Sequence, residues 1–277
     1  MKVYKTTAGI VIEHRDAFYL LDQEWDSFIN DDGLAGKIER IVSAQEPVAN
    51  GQELVENELE APIGRQEIWA SGVTYYKSKL GRQEESKEAG GGDFYDRVYS
   101  ADRPELFFKA TRNRTVGPGE YVRIREDSTW DVPEPELTLM ITSAGKIVGY
   151  TIGNDMSSRS IEGENPLYLP QAKCYDGSAA LGPCMYVTED SLPPETTIAL
   201  EIERDGTIVF AEDIEINQIK RSFSELVSYL YRECSFPKGS LLMTGTGIVP
   251  TNEFTLHHGD EIRISISHIG TLINKVK

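Results

Sequence analysis

The sequence predicts an α+β fold in which a mixed β-roll or β-sandwich core follows a small N-terminal α+β domain. Three observations carry that expectation: short apolar runs bounded by turn residues recur from Glu105 onward, helical periodicity is confined to brief stretches, and a Pro/Gly junction closes the first 64 residues. Repeated short strands with few helices between them favour antiparallel or mixed pairing over a doubly wound parallel sheet, which needs a helix after each strand.

In chain order, residues 2–6 and 9–13 read as strands and the Leu/Ile-bearing polar stretch 25–42 as helical. A polar region, 45–66, ends in Ala61-Pro62-Ile63-Gly64, where proline and glycine interrupt regular structure, so the domains are drawn as 1–64 and 65–277. Between Tyr75 and Tyr99 the chain turns polar and rich in lysine and glutamate around Gly90-Gly91-Gly92. That composition suits helices flanking a mobile loop, which is either a lid or a solvated excursion with no gating role. Residues 137–142 and 147–152 flank Ser143-Ala144-Gly145-Lys146, and 198–203 and 207–211 flank Arg204-Asp205-Gly206; both read as hairpins. Residues 222–233 read as a helix, with Ser222 and Glu225 forming a capping box and Phe223, Leu226, Val227 and Leu230 on one face. Strands resume from Leu241.

Of 277 residues, 39% are hydrophobic and 26% charged, so a sizeable core can form without staples. Lys plus Arg number 28 against 45 Asp plus Glu, a formal charge of −17. Such a field repels phosphate backbones and anionic bilayers, so neither nucleic acid nor a membrane is an expected partner. It also disfavours a small anionic substrate, and a site for one therefore requires a local positive centre, a metal or a lysine. Cys174, Cys184 and Cys234 are odd in number and fall in no CxxC pattern. With no apolar leader and no long apolar span, the expected compartment is the reducing cytoplasm.

The segment most informative about chemistry is Trp130-Asp131-Val132-Pro133-Glu134-Pro135-Glu136-Leu137, which runs into an apolar strand. Alternation along an extended chain puts Glu134 and Glu136 on one side, and Pro133 and Pro135 keep the backbone extended around them. Two unpaired carboxylates so placed repel until one takes up a proton; a hard divalent cation removes the conflict, and oxygen ligands suit Mg²⁺ or Mn²⁺. Asp155, in Gly153-Asn154-Asp155-Met156, stands where a hairpin partner returns to the same end of the sheet and offers a third carboxylate. Glu-x-Glu alone also fits a solvated acidic surface; the proline brackets and the placement of Asp155 favour the metal site.

Lys173, in Pro170-Gln171-Ala172-Lys173-Cys174-Tyr175-Asp176-Gly177, sits among small and apolar residues rather than in a charge run. Near a metal its amine serves either as a general base of lowered pKa or as a fixed charge holding a carboxylate. Leu242-Met243-Thr244-Gly245-Thr246-Gly247 places small residues straight after an apolar strand. There, amides and the Thr246 hydroxyl can approach a substrate, or the run is simply a tight turn; it lacks the Gly-Lys-Ser/Thr ending of a phosphate loop.

A Glu-x-Glu strand, an Asp after the next strand, a Lys beyond it and a late Thr-Gly-Thr turn are the core pattern of the fumarylacetoacetate hydrolase superfamily, which this chain resembles over residues 66–276. The early segment is similar to that family's variable N-terminal domain. Within the superfamily, the runs Arg103-Pro104-Glu105-Leu106-Phe107-Phe108-Lys109-Ala110-Thr111, Glu164-Asn165-Pro166-Leu167-Tyr168-Leu169-Pro170-Gln171 and Ile269-Gly270-Thr271-Leu272-Ile273 are similar to a branch that dehydrates 2-oxo-3-deoxy sugar acids. What the resemblance implies is Mg²⁺, or Mn²⁺, held by Glu134, Glu136 and Asp155, with Lys173 and Glu105 in the chemistry. It further implies Ser71, Gly72, Lys109 and Thr246 at a 2-oxo acid substrate, a homodimer or homotetramer, and conversion of 2-dehydro-3-deoxy-D-arabinonate to 2,5-dioxopentanoate.

Hydrolytic members of the superfamily carry a His paired with Glu on a short helix after the first core strand, to activate water. Here Tyr75 matches the tyrosine of that motif and Ser78 stands at the His position, while His14, His257, His258 and His268 all lie elsewhere. This departure counts against hydrolysis and favours proton abstraction followed by elimination. The alternatives are an acylpyruvate hydrolase or oxaloacetate decarboxylase of the same superfamily and, from another class, a non-catalytic 2-oxo acid binding protein, against which the retained acids and Lys173 argue.

Overall fold

The computed structural model describes residues 1–85 and 92–277, so Gly90 and Gly91 of the expected lid loop lie outside the described residues. A ten-stranded mixed sheet runs through the molecule and faces a five-stranded sheet, with a short two-stranded ladder beside them. In the middle of the larger sheet, Pro135–Ile141 pairs antiparallel with Ile147–Asp155 on one side and Ser240–Met243 on the other. Ser240–Met243 lies parallel to Glu67–Gly72, which pairs antiparallel with Glu105–Ala110 at the edge. Every residue of Pro135–Ile141 is buried, so its apolar run is continuous where a strand with one wet face would alternate.

The five-stranded sheet does alternate. Ile198, Leu200 and Ile202 of Thr197–Arg204 and Ile262, Ile264 and Ile266 of Glu261–Ile266 turn inward, where they join Leu137, Leu139 and Ile141 in one core. Each such buried Leu or Ile contributes about 1.5–3 kcal/mol relative to exposure, which holds the two sheets face to face. The expected sandwich-like mixed β core is thus the observed one. Both expected hairpins form, with Gly145, Asp205 and Gly206 at positive φ in their turns.

At the N-terminus, Lys2–Thr6, Gly9–His14 and Ala17–Leu21 form a meander that extends the ten-stranded sheet through pairing of Val3 with Met185. The third of these strands, and the helix Gly51–Asn57 inside the polar region, were not expected. The helical stretch 25–42 proves to be two helices, Trp25–Ile29 and Leu34–Ala44, separated where Asp31 Oδ1 accepts the Gly33 amide at 2.8 Å. The late helix runs Phe223–Leu230; Ser222 Oγ accepts the Glu225 amide at 3.2 Å, the N-cap half of the expected capping box, while Glu225 Oε1 accepts from Arg221 Nη1 at 2.6 Å. Helices Tyr76–Glu85 and Gly92–Ser100 form the excursion, tied down where Arg221 donates to the Val98 and Asp102 carbonyls. Among the described residues no helix is long and apolar enough to cross a membrane.

Register has a functional consequence. Glu136 lies opposite Gly153, Thr138 opposite Met243, Ala70 beside Met243, and Gly72 opposite Glu105. The start of the Glu-x-Glu strand therefore meets the ends of Ile147–Asp155, Ser240–Met243 and Glu67–Gly72 and the start of Glu105–Ala110, all at one end of the sheet.

Candidate active site

At that end, Glu134, Glu136 and Asp155 each place an oxygen within 4.8 Å of the others, and all three are buried. The Asp155 amide donates to the Glu134 carbonyl at 2.9 Å, which locks the two strand ends together. Period-two alternation brings Glu134 and Glu136 to the same face, as the sequence implied.

Three buried cations surround these acids in an alternating chain. Lys173 Nζ donates to Glu134 Oε2 at 2.7 Å, Asp155 Oδ2 at 3.0 Å and Ser157 Oγ at 2.5 Å. Arg159 Nη2 donates to Glu134 Oε1 at 2.7 Å. Lys109 Nζ lies 2.5 Å from Asp155 Oδ1, an ion pair off the hydrogen-bond direction. The order is Lys109, Asp155, Lys173, Glu134, Arg159, with each carboxylate gripped at both oxygens.

Glu136 stands apart, its Oε2 accepting the Gly245 amide at 2.6 Å. Burial, with the charges of Asp155 and Glu134 beside it, pushes its pKa well above the usual carboxylate range. Burial acts on Asp155 in the same direction, but Lys109 and Lys173 outweigh it and hold Asp155 below its ordinary value. Burial also pulls the Lys109 ammonium down, whereas the three oxygens around its nitrogen favour the protonated form.

The cleft over these groups is tight, with about 10 Å³ of free volume, roughly what one water fills. Ser71, Gly72 and Thr246 line it, as expected of substrate-binding residues, together with Ser78, Phe107, Arg159 and the Gly245 backbone. Lys109 does not. Glu105 presses against the wall: a Cβ on Gly72 would lie 2.1 Å from Glu105 Oε2, so only glycine lets that carboxylate reach its place. Gly245 is equally constrained, with φ +93° and a would-be Cβ 2.0 Å from Thr74 Oγ1. The Thr246 hydroxyl donates to the Ile248 carbonyl at 3.2 Å, and Ser71 Oγ donates to the Glu105 carbonyl at 3.0 Å.

The donor set fits a hard divalent cation. Three carboxylate oxygens converge, and one carboxylate, Glu136, has no lysine or arginine contact among the described residues, so a dication answers a repulsion that the protein leaves unbalanced. Glu134, Glu136 and Asp155 are the residues that would hold it.

Residues 74–277 match the profile of the fumarylacetoacetate (FAA) hydrolase C-terminal family. The chain belongs to that family. A Haloferax volcanii protein named "Probable 2-keto-3-deoxyxylonate dehydratase" is 50% identical over 223 residues, covering 80% of this chain and 76% of that one. The 2-dehydro-3-deoxy-D-arabinonate dehydratase of Saccharolobus solfataricus is 46% identical over 219 residues, 78% of this chain and 73% of the other. A solved structure of 2-keto-3-deoxy-D-arabinonate dehydratase complexed with magnesium and 2,5-dioxopentanoate superposes with a TM-score of 0.85 at 36% identity, covering 100% of this chain and 99% of that one.

In this fumarylacetoacetate hydrolase family member no histidine lines the cleft. Ser78, which the family resemblance sets at the His position of the hydrolytic motif, is buried, its hydroxyl donating to the Tyr75 carbonyl at 2.8 Å and accepting the Tyr75 amide at 3.2 Å. Sequence reasoning missed Arg159 as a partner of Glu134 and Ser157 as an acceptor of Lys173. The available signal was Met156-Ser157-Ser158-Arg159, where a polar run opening a short helix follows directly on Asp155.

Asp131, just upstream of the acids, supplies a pH test of the frame. Among the described residues its Oδ1 is buried without a hydrogen-bond partner, and burial raises its pKa to about 6. An unfolded aspartate titrates near ~4, so between that pH and about 6 the folded chain binds more protons and stability falls as pH rises. Asp131→Asn is expected to flatten that slope. Urea midpoints measured from pH 4 to 7 check it, and equal slopes in the two proteins would contradict the assignment.

Proposed function

We propose that this chain is a Mg²⁺-dependent dehydratase that eliminates water from a 2-oxo-3-deoxy sugar acid, converting 2-dehydro-3-deoxy-D-arabinonate to 2,5-dioxopentanoate. The observation that carries the reading is the buried acid cluster with Lys173 at its centre in a cleft without histidine, the make-up of an elimination site and not of a water-activating one. The names of the two relatives point to one compound. Parent xylonate and arabinonate differ at C2 and C3; a ketone at C2 and a methylene at C3 erase both stereocentres, so with the same C4 configuration the acids are identical.

With Glu105 counted beside Glu134, Glu136 and Asp155, four carboxylates face three cations, and a divalent ion would leave the cluster with one net positive charge. This is the local positive centre that an anionic substrate requires in a chain of formal charge −17. Mg²⁺ bound there supplies Lewis acidity that makes the C3 proton of a 2-oxo acid removable; Mn²⁺ suits the same oxygens.

The proton work falls to the chain's own residues. Lys173 Nζ directs its protons at three acceptors and so has no lone pair with which to act as base. Glu105, packed on Gly72 at the wall, takes the C3 proton, and the Lys173 ammonium turns one of its three protons to the C4 hydroxyl, which leaves as water. The 5-hydroxy enone that results becomes 2,5-dioxopentanoate by proton shifts alone, with no change in composition. Ser71 and Thr246 hold the substrate carboxylate, their hydroxyls giving up the Glu105 and Ile248 carbonyls to do so, and Ser78 leaves no base to direct water at a carbon-carbon bond.

With Mg²⁺ and a panel of 2-oxo-3-deoxy aldonates, mass analysis is expected to show loss of water without chain cleavage. Release of pyruvate or of CO₂ would instead identify a hydrolase or a decarboxylase. Glu105→Gln is expected to fold, to bind Mn²⁺ normally and to slow deuterium exchange at C3 by about 10²–10⁴-fold. Exchange at the wild-type rate would remove Glu105 as base.

A further inference from the structure

Lys109 is buried, outside the cleft and unused by the chemistry proposed above. Its ammonium donates to the Met156 carbonyl at 2.9 Å and the Lys173 carbonyl at 2.5 Å and pairs with Asp155 Oδ1. These partners belong to different segments: Asp155 ends one strand, Met156 leaves it, and Lys173 is the last residue of the helix Leu169–Lys173.

That helix has five residues, too few to be stable alone, and its terminal carbonyls have no partner within it. A buried cation on the last carbonyl satisfies it and meets the negative end of the helix. The backbone from which the Lys173 side chain springs is therefore held by Lys109, and so is one oxygen of the carboxylate that Lys173 Nζ touches at 3.0 Å.

We propose that Lys109 is a positioning residue that fixes Lys173 against Asp155 and does not touch the substrate, an inference that rests on Lys173 acting in the dehydration. A side chain serving only the fold would shift stability and leave turnover by the folded protein intact. The arrangement also differs from the substrate-binding role that the family resemblance suggests for this lysine. Without the Lys109 ammonium, Lys173 keeps its own acceptors, but the backbone beneath it loses its anchor.

The test compares Lys109→Gln, whose amide can still donate to both carbonyls but carries no charge, with Lys109→Met, which removes donors and charge together. At saturating Mg²⁺ both are expected to fold and to lose kcat, Lys109→Gln by about 10–100-fold, the range typical of residues that orient the groups doing the chemistry. KM and the affinity of the metal-free protein for Mn²⁺, read by calorimetry, are expected to change far less. In protein with ¹⁵N-labelled lysine, the Lys173 Nζ signal, assigned through Lys173→Met, is expected to move in Lys109→Gln.

Wild-type kcat in either variant overturns the proposal, and so does full recovery of kcat on raising Mg²⁺ or loss of folding in both. An unmoved Lys173 signal overturns it whether or not the wild type is active. Failure of the wild type to dehydrate any acid in the panel would sink the functional reading itself, whereas an active wild type beside active variants would sink only the role given to Lys109.

Discussion

Glu136→Gln is expected to lower kcat/KM by on the order of 10³-fold at moderate Mg²⁺, because it removes a ligand charge from a site whose hold on a hard cation depends on how many carboxylates face it. The fold should survive. Glutamine is close in shape and keeps an oxygen for the Gly245 amide, and in the metal-free chain burial and the neighbouring acids already push Glu136 toward its neutral form. The variant without metal is therefore expected to be at least as stable as wild type, and the loss of turnover is then an effect on metal binding. Calorimetric titration with Mn²⁺ and thermal melts in chelator separate the two. Wild-type turnover by Glu136→Gln, or full activity of the unaltered enzyme in excess chelator, would end the metal assignment.

If Lys173 is the acid proposed for the departing hydroxyl, Lys173→Met is expected to lose about 10²–10⁴ in kcat. It should also destabilise the metal-free chain by roughly 3–5 kcal/mol, because Glu134 and Asp155 lose the cation they share and remain buried. A divalent ion offers those oxygens a new partner, so much of that stability should return on adding Mg²⁺. Denaturant midpoints with and without Mg²⁺, alongside single-turnover rates, read both effects. A variant retaining turnover within about tenfold of wild type would be incompatible with an acid role for this lysine.

The acid cluster was legible in the sequence because each of its causes is local. Alternation sets Glu134 beside Glu136, the prolines keep the strand extended, and a hairpin brings Asp155 back to the same end. The Ser222 cap and the alternating outer sheet were legible for similar reasons, since period and turn chemistry are written in neighbouring residues. The cations were harder to read. Lys109 reaches a carbonyl 47 residues away and Arg159 a carboxylate 25 away, and nothing in their own neighbourhoods announces those partners. Lys109 lies within an ordinary-looking strand, and its placement beneath Asp155, away from the cleft, follows from sheet order, which one sequence does not disclose. The strand Ala17–Leu21 was missed because its run of aromatic and aliphatic residues has no alternation to mark it.

The convergence of five strand ends sets the timing of metal uptake. Residues as far apart as Ser71 and Thr246 meet only once widely separated segments have found their register, a slow kind of pairing that costs loop entropy before it returns contact energy. A partly folded chain would then offer no cage, and a divalent ion would be expected to bind late. Its influence on lifetime should then fall on the rate at which the finished molecule comes apart and hardly at all on the rate at which it assembles.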